Sequence, residues 1–243
     1  GLVEAGIYAQ AYRIIDGGNN FAFLYAGMLL PIFARLVQHG DKSGISDFIN
    51  QGARFLIIPA GLGCVFVGFH SEAVMQMLYD SEVATSAMAF RWLMGSFLFI
   101  CVGYVFGTLL TASGELSKLN WIALLSVVSN FFLNWFLIPS LGAVGAAMAS
   151  FTSLFLMAIF QGLVVYRTSE SISLKWTLSA LICWIFALAI AFGMSHLVQS
   201  EWIRMVGLLI GSLGVFVLVG LKKSDLKTAL PNEVIDNKIS SQS

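Results

Sequence analysis

Apolar residues along the chain form long runs that contain no Asp, Glu, Lys or Arg. These runs cover residues 17–34, 55–71, 92–114, 119–166, 176–200 and 205–221. A helix crosses a bilayer with about 20 mostly apolar residues, so each run is long enough for at least one crossing. Strands of a membrane barrel would alternate polar and apolar residues, and these runs do not alternate. The pattern predicts an all-α integral membrane protein.

The run over residues 119–166 is too long for one crossing. As a single helix it would extend about 72 Å, over twice the hydrocarbon core. Pro139 and Gly142 interrupt it, since proline lacks a backbone donor and glycine permits a turn. A turn there raises the number of crossings to seven. The predicted spans, within a transmembrane domain over residues 1–221, are 17–38, 52–71, 91–112, 119–138, 143–166, 175–198 and 202–221.

Three segments beside these spans carry further expectations. The first helix has a possible start as early as Ala5, because residues 5–15 also have a helical pattern. Residues 71–86 are too polar to span and are expected to lie at the membrane interface. The polar segment 222–243 has no periodic apolar pattern and is expected to be a disordered cytoplasmic tail.

Composition excludes several classes of protein. Apolar residues make up 58% of the chain and charged residues 11%, whereas soluble domains have about 25% charged residues. The 13 basic and 13 acidic side chains cancel, which leaves no basic surface for nucleic acid. A soluble enzyme and a nucleic-acid-binding protein are therefore both excluded.

The basic residues also predict the topology. Ten of the 13 fall on one side of the predicted spans, and only Arg13, Arg91 and Arg204 fall on the other. The positive-inside rule then places the C-terminus in the cytoplasm and the N-terminus outside. The chain begins without an initiator Met or a signal peptide, so we expect it to be the C-terminal fragment of a longer protein.

Residues that support catalysis are scarce. Cys64, Cys101 and Cys183 fall on different spans, and each of the three histidines lies near the end of a different span, so no metal-binding spacing occurs. The Gly17-Gly18-Asn19-Asn20 stretch has no following Lys, unlike a phosphate-binding loop. We therefore predict no catalytic residues, no metal and no cofactor.

Charged residues near the spans are the first candidates for transport. Arg13 and Asp16 are three residues apart, so they share a helix face and are able to pair. Such charges are functional candidates, although both lie near a boundary where Arg snorkels to the interface. Arg54 precedes Pro59 at a cytoplasmic span end. It is either a bidentate phosphate donor or an anchor at the interface.

The other polar candidates are amides and small residues. Asn130 and Asn134 project from one face of the fourth span, where they either bond neighbouring helices or line a hydrophilic cavity. Glycines four residues apart, at 103 and 107 and at 207 and 211, allow close helix packing and say nothing of a substrate.

Four stretches resemble motifs of bacterial polysaccharide flippases in the multidrug/oligosaccharidyl-lipid/polysaccharide (MOP) superfamily. Residues 6–14 resemble the family's Gly-x-Tyr-x-x-Ala-x-Arg-Leu stretch, and residues 30–36 resemble the exit of that helix. Residues 110–118 are similar to its x-Ala-x-Gly-x-x-x-Lys loop. The most specific likeness is residues 130–147, which are similar to Asn-x-x-x-Asn, Ile-Pro and Gly-x-x-Gly-Ala-Ala. The resemblance covers residues 1 to about 166.

This resemblance implies helices eight to fourteen of a two-lobe carrier that alternates between outward-open and inward-open states. Its implied substrate is an undecaprenyl-pyrophosphate-linked oligosaccharide for surface polysaccharides such as lipopolysaccharide, moved across the bacterial inner membrane. Arg54 and Arg13 are the expected pyrophosphate partners, Asn130 and Asn134 contact sugar or bond helices, and Asp16 is the candidate for ion coupling. The missing N-terminal half and the lipid bilayer are the expected partners.

Two alternatives stay open at this point. A multidrug and toxin extrusion (MATE) antiporter shares the superfamily fold, but such proteins generally need an acidic residue in the cavity. A membrane enzyme of polysaccharide assembly would need a long extramembrane loop or an interfacial His and Asp pair, and the sequence offers neither.

Overall fold

The computed structural model describes residues 2–168 and 175–220, and within them every regular element is helical. The elements are α1 (Leu2–Gln38), α2 (Lys42–Gly52), α3 (Ile58–Leu78), α4 (Val83–Ala112), α5 (Leu116–Thr168), α6 (Lys175–Leu197) and α7 (Glu201–Val215). Short π-helical turns, Ala53–Ile57 and Phe216–Gly220, follow α2 and α7. The predicted all-α fold is confirmed. Residues 222–243, with their predicted tail and four of the cytoplasmic lysines, lie outside the described residues.

The predicted break in the long apolar run lies at Gly142. This residue has φ 54° and ψ −130°, which are not helical angles, and it divides α5 into two halves, residues 116–141 and 143–168. The Glu4 carboxylate accepts a hydrogen bond of 2.6 Å from the Ala143 N–H. A carboxylate at this position satisfies a free N–H and complements the helix dipole at the start of the second half.

The described helices are consistent with six to seven crossings, and the seven predicted spans stay a prediction. Within the described part of the chain, six helical segments are long and apolar enough to cross a membrane, counting α2 and α3 as one and α5 as one. The 52 residues of the α5 segment are far too many for a single crossing of about 30 Å, so its two halves count separately.

Several helices extend beyond the predicted spans. α1 begins at Leu2 rather than near residue 17 or Ala5. Residues 71–86, expected to lie outside the spans, are mostly helical: α3 continues to Leu78 and α4 begins at Val83. Some polar groups in this stretch have partners: Arg91 Nε donates to the Ser71 hydroxyl at 2.6 Å, and the Ser86 hydroxyl donates to Gln10 Oε1 at 2.7 Å. The depth of these ends in the membrane stays a prediction.

Helix α4 is the centre of the bundle and packs against α1, α3 and α5, while α6 and α7 pack on each other and on α3. Two clusters of buried apolar side chains hold it together. One joins the end of α1 to the π-helical turn before α3 and to the end of α4, around Phe33, Ile57 and Leu109. The other joins the opposite ends of these helices, around Ile15 and Phe90.

The small-residue motif on α7 is used inside the bundle. A Cβ atom at Gly207 would overlap Met194, and one at Gly211 would lie 3.1 Å from Ile190, both on α6. These glycines allow α6 and α7 to pack closely, as their spacing predicts. The outer surface is rich in large apolar side chains, such as Trp121 and Trp135, as a lipid-facing surface requires.

Candidate functional site: the polar face of α1 and the adjoining cavity

Three polar residues form an exposed stripe on α1. Arg13, Asp16 and Asn20 are spaced by three and four residues, so their side chains project from one face, and all three are exposed. In the described part of the chain, we find no hydrogen bond or ion pair for any of them. We call these three residues the α1 stripe.

The ion pair that the spacing of Arg13 and Asp16 allows is not formed in the described part of the chain. The described residues contain other ion pairs, such as Lys118 with Glu115, but not this one. The order of the two charges makes this pair weak, because a basic residue N-terminal to an acidic one interacts less favourably on a helix than the reverse order. Both side chains are therefore available to other groups.

Asn130 and Asn134 belong to a different polar system, on α5. The Asn134 Nδ2 donates to Asn130 Oδ1 at 2.9 Å, and Asn130 Nδ2 donates to the Ser153 hydroxyl at 3.1 Å. Ser153 lies on the second half of α5, so these bonds join its two antiparallel halves. This geometry favours helix bonding, one of the two roles that the sequence left open.

The same chain of bonds continues to α1. The Ser153 hydroxyl donates to the Ser150 carbonyl at 3.1 Å, and the hydroxyls of Ser150 and Tyr8 lie 3.4 Å apart. We call Tyr8, Asn130, Asn134, Ser150 and Ser153 the polar ladder. Its residues are partly or fully buried, and Asn134 Oδ1 has no hydrogen-bond partner among the described residues.

Arg54 lies in neither system. Its side chain is 6% exposed, in the π-helical turn between α2 and α3, beside the buried Ala53. π-Helical turns are frequent at functional sites. The structure does not bring Arg54 together with Arg13, which lies far along α1 on an exposed face. Of the two residues predicted to bind phosphate, Arg54 is therefore buried and Arg13 is exposed.

A cavity of about 460 Å³ lies between α1, α4 and α5. Its walls are mainly apolar, and none of its side chains carries a charge. The lining residues are Phe23, Ala26, Gly27, Leu30, Ile100, Gly103, Tyr104, Gly107, Thr108, Thr111, Leu119, Met157 and Gln161. The volume lies within the usual range for small-molecule sites, about 300–1,000 Å³.

The cavity adjoins the α1 stripe. Asn20, Phe23 and Gly27 are spaced by three and four residues, so the face that carries the stripe leads into the cavity. Tyr104, in the cavity wall, donates its hydroxyl to Asn19 Oδ1 at 3.2 Å and ties α4 to α1 at this point.

Gln161 is the polar side chain with unmet bonding capacity in the cavity. It is 3% exposed, and its Oε1 has no hydrogen-bond partner among the described residues. Gly103 and Gly107 face it, and Cβ atoms at these positions would lie 3.5 and 3.6 Å from its amide. These distances are ordinary van der Waals contacts, so the two glycines let the Gln161 amide lie close to α4.

Sequence reasoning missed several of these residues, among them Asn20, Gln161, Glu4 and the ladder residues Tyr8, Ser150 and Ser153. Gln161 occurs singly within an apolar run, and a lone amide has no spacing signal, whereas Asn20 stands next to Asn19. Glu4 caps a helix that begins 139 positions later, which no local pattern indicates. The helical period of Arg13, Asp16 and Asn20 was the available signal for the stripe.

No cluster of metal-ligating side chains occurs among the described residues. The fold and the site define a multi-span membrane protein with an exposed polar stripe on α1 and an uncharged cavity beside it. The comparisons with known proteins agree. A family model described as lipid II flippase MurJ matches residues 21–213, well over half of the chain. The chain belongs to this family, within the MOP superfamily.

Two curated relatives have similar sequences. The probable low-salt glycan biosynthesis flippase Agl15 of Haloferax volcanii is 26% identical over 94% of this chain and 49% of its own length. The uncharacterized membrane protein MJ1068 of Methanocaldococcus jannaschii is 22% identical over 84% of this chain and 41% of its own length. The chain spans about half the length of these relatives.

Proposed function

We propose that this chain is part of a flippase that moves a lipid-linked oligosaccharide from the cytoplasmic to the outer leaflet by alternating access. The family match is the observation that carries the proposal. The carrier lipid is undecaprenyl pyrophosphate, and the membrane is the bacterial inner membrane, with the C-terminus in the cytoplasm. No bond is made or broken in this function, which agrees with a family of transporters.

The α1 stripe supports an aqueous path beside this helix. Arg13 and Asp16 precede the predicted span 17–38, and Asn20 lies within it, so the stripe leads from the membrane boundary toward the apolar interior. Polar side chains at that depth are costly unless they face water or protein. A glycan and a pyrophosphate need this kind of polar surface, because neither crosses hydrocarbon unaided.

The predicted site residues receive different roles in this proposal. Arg13 binds the pyrophosphate, because its guanidinium is exposed and able to bind phosphate oxygens bidentately. Asp16 is the candidate for coupling to a cation. Arg54 is a second, weaker candidate for the phosphate because it is buried. Asn130 and Asn134 contribute mainly to the stability of the bundle. Their hydrogen bonds join the two halves of α5, and the chain of bonds continues through Ser150 to α1.

A flipping assay tests the proposal. The full-length gene product is reconstituted in liposomes with a fluorescent undecaprenyl-pyrophosphate-linked oligosaccharide in both leaflets, and dithionite then quenches the label outside. Active vesicles should lose nearly all fluorescence, whereas vesicles with heat-denatured protein should keep the label of the inner leaflet. If active and heat-denatured samples keep the same fraction of their fluorescence after dithionite is added, the proposal is contradicted.

A second substrate separates the flippase from a drug antiporter. An organic cation such as ethidium, loaded into the same vesicles under an imposed ion gradient, should leak at the rate of protein-free vesicles. Gradient-driven ethidium movement without glycan flipping would favour the antiporter and overturn the proposal.

A further inference from the structure

We propose that the start of α7 binds a resident phospholipid of the bilayer whose headgroup carries a primary ammonium group. The site consists of two cavities on either side of α7, and Trp202 lines both of them. It shares no residue with the α1 stripe or with the cavity between α1, α4 and α5. Its occupant is a lipid that stays with the protein and is not the transported glycan, so the site goes beyond the proposed function.

The first cavity, of about 140 Å³, lies between the end of α3 and the start of α7. The predicted topology places both of these helix ends at the outer boundary of the membrane. A cavity of this size holds several water molecules or one small organic group. Its lining residues are Ala73, Gln76, Met77, Glu201, Trp202 and Met205.

The charge of this first cavity selects a cation. Glu201 is its charged lining residue, and the Glu201 side chain is 51% exposed. His70 Nδ1 lies 3.9 Å from Glu201 Oε1, too far for a hydrogen bond, and Arg204 on the next turn forms no ion pair with Glu201 in the described part of the chain. An ammonium group would complement this carboxylate, whereas the same charge repels a phosphate or a pyrophosphate.

The polar atoms beside Glu201 favour a primary ammonium over a quaternary one. Gln76 adds an amide oxygen to the carboxylate oxygens, so the cavity wall offers several hydrogen-bond acceptors. A primary ammonium has three N–H donors for these oxygens, whereas the trimethylammonium group of choline has none. The Trp202 ring adds a surface that attracts a cation. The chemistry therefore matches an ethanolamine headgroup.

The second cavity distinguishes a lipid from a soluble amine. It has a volume of about 360 Å³, lies between α6 and α7, and is lined by the apolar residues Met194, Trp202, Ile203, Val206 and Gly207. Residues 206 and 207 lie about 8 Å further along α7 than Glu201, on the side of the membrane interior. A carboxylate at the boundary with an apolar cavity beyond it matches a headgroup followed by an acyl chain. A soluble amine would leave the second cavity unfilled.

Three phospholipids with identical acyl chains make a matched set of probes. Phosphatidylethanolamine, phosphatidylcholine and phosphatidylglycerol are titrated into the full-length gene product in detergent, and native mass spectrometry resolves each bound lipid. We expect phosphatidylethanolamine to bind about tenfold more tightly than the other two, as one charged hydrogen bond allows. Glycerophosphoethanolamine, which has the headgroup without acyl chains, should bind far more weakly than the intact lipid.

Charge variants connect the headgroup preference to the first cavity. Glu201→Gln should remove the tenfold preference for phosphatidylethanolamine because the carboxylate is lost. The matched control is Glu72→Gln, at an exposed glutamate near the same end of α3 that pairs with Arg91 and does not line the cavity. This control should keep the full preference.

A second pair of variants tests the acyl chain. Val206→Phe should weaken phosphatidylethanolamine binding about fourfold by filling the apolar cavity, the equivalent of one methylene group that is no longer buried. Ile210→Phe adds a similar side chain one turn further along α7, at an exposed position outside the cavity, and should leave the affinity unchanged.

Three results would overturn the proposal. They are equal binding of phosphatidylethanolamine and phosphatidylglycerol, an unchanged preference in Glu201→Gln, and binding of glycerophosphoethanolamine as tight as that of the intact lipid. The flipping assay is independent of these outcomes. A protein that flips lipid-linked glycan without preferring phosphatidylethanolamine refutes only this site. A protein that shows the preference but flips no glycan refutes the proposed function and keeps the site.

Discussion

The α1 stripe and the polar ladder both consist of polar side chains on apolar helices, but the stripe is exposed and the ladder is partly or fully buried. Both place polar groups inside apolar helices at a spacing of three or four residues. The ladder residues bond to one another across three helical segments, from Asn134 to Tyr8. The stripe residues are exposed and bond to nothing in the described part of the chain.

The difference shows that a polar residue in a membrane helix takes its role from the direction in which it projects. A ladder residue has partners in the bundle, so its removal should affect stability first. A stripe residue has unmet bonding capacity that only water, substrate or another protein segment supplies, so its removal should affect transport first. The predictions below test this division, from the largest expected effect to the smallest.

Arg13→Ala should lower flipping of the lipid-linked glycan about tenfold to a hundredfold at normal protein abundance. The reason is the loss of a charged hydrogen-bond donor to phosphate, worth about 1.5–3 kcal/mol. The measurement is the initial flipping rate in liposomes. Arg91→Ala is the matched control, since this exposed arginine pairs with Glu72 outside the stripe, and it should keep most activity. Equal rates for the two variants would remove Arg13 from the site.

Gly142→Ala should lower the free energy of unfolding by about 2–4 kcal/mol and loosen the two halves of α5 that carry the ladder. The new Cβ atom would overlap the Glu4 carboxylate, and the backbone angles are ones that glycine alone adopts readily. Thermal unfolding in one detergent measures the effect. Gly114→Ala is the control, because φ is also positive there but the space is open. A larger loss at Gly114 would contradict the role of Glu4.

Asn130→Ala should lower the free energy of unfolding by about 1–3 kcal/mol, because it leaves buried amide and hydroxyl groups without partners. Its effect on flipping per folded molecule should be smaller than that of Arg13→Ala. A double-mutant cycle with Ser153→Ala should give a coupling of about 0.6–1.7 kcal/mol. Ser140→Ala, at an exposed serine on the same helix, should change little. A cycle with no coupling would contradict the ladder.

Asp41 should make the start of α2 sensitive to acid. Hydrogen bonds from the Gly44 N–H and the Ser43 hydroxyl lower the pKa of this exposed carboxyl from its ordinary value of 3.8. A lowered pKa in the folded state means that the stabilisation is present above the unfolded pKa and disappears as pH falls through the folded pKa.

Hydrogen exchange of residues 42–52 at pH 6 and pH 3 measures this effect, as a ratio to exchange of the same segment in Asp41→Asn. Asparagine caps helices as well as aspartate does but has no carboxyl to titrate. The variant should therefore remove the acid sensitivity while α2 stays formed. An acid response that persists unchanged in Asp41→Asn would assign it to another group.

Much of the fold was predictable because a helix that crosses lipid needs a long apolar run without charged residues. The charge-free runs indicated seven crossings, and Pro139 and Gly142 marked the turn that divides α5. Helix ends were less predictable, since the extension of α1 back to Leu2 is set by packing and by Glu4 bonding to Ala143. Such contacts join residues that are far apart in the sequence.

The candidate site was predictable only in part. Spacing placed Arg13 with Asp16, and Asn130 with Asn134, on shared faces. It did not reveal which face meets the bundle, so the burial of Arg54 and the bonds of Asn130 to Ser153 required the structure. A lone amide such as Gln161 becomes a candidate only when a cavity and the absence of a bonding partner are seen together.

Thiol accessibility in intact membranes tests most directly the claim that the α1 stripe borders an aqueous path. Single cysteines at positions 13, 16 and 20 are compared with cysteines at the buried positions Ile15 and Ala22, in the full-length gene product, with a charged maleimide that does not dissolve in lipid. The account predicts rapid labelling at all three stripe positions and slow labelling at the two buried ones. Labelling of the stripe positions only after the membrane is dissolved would contradict it.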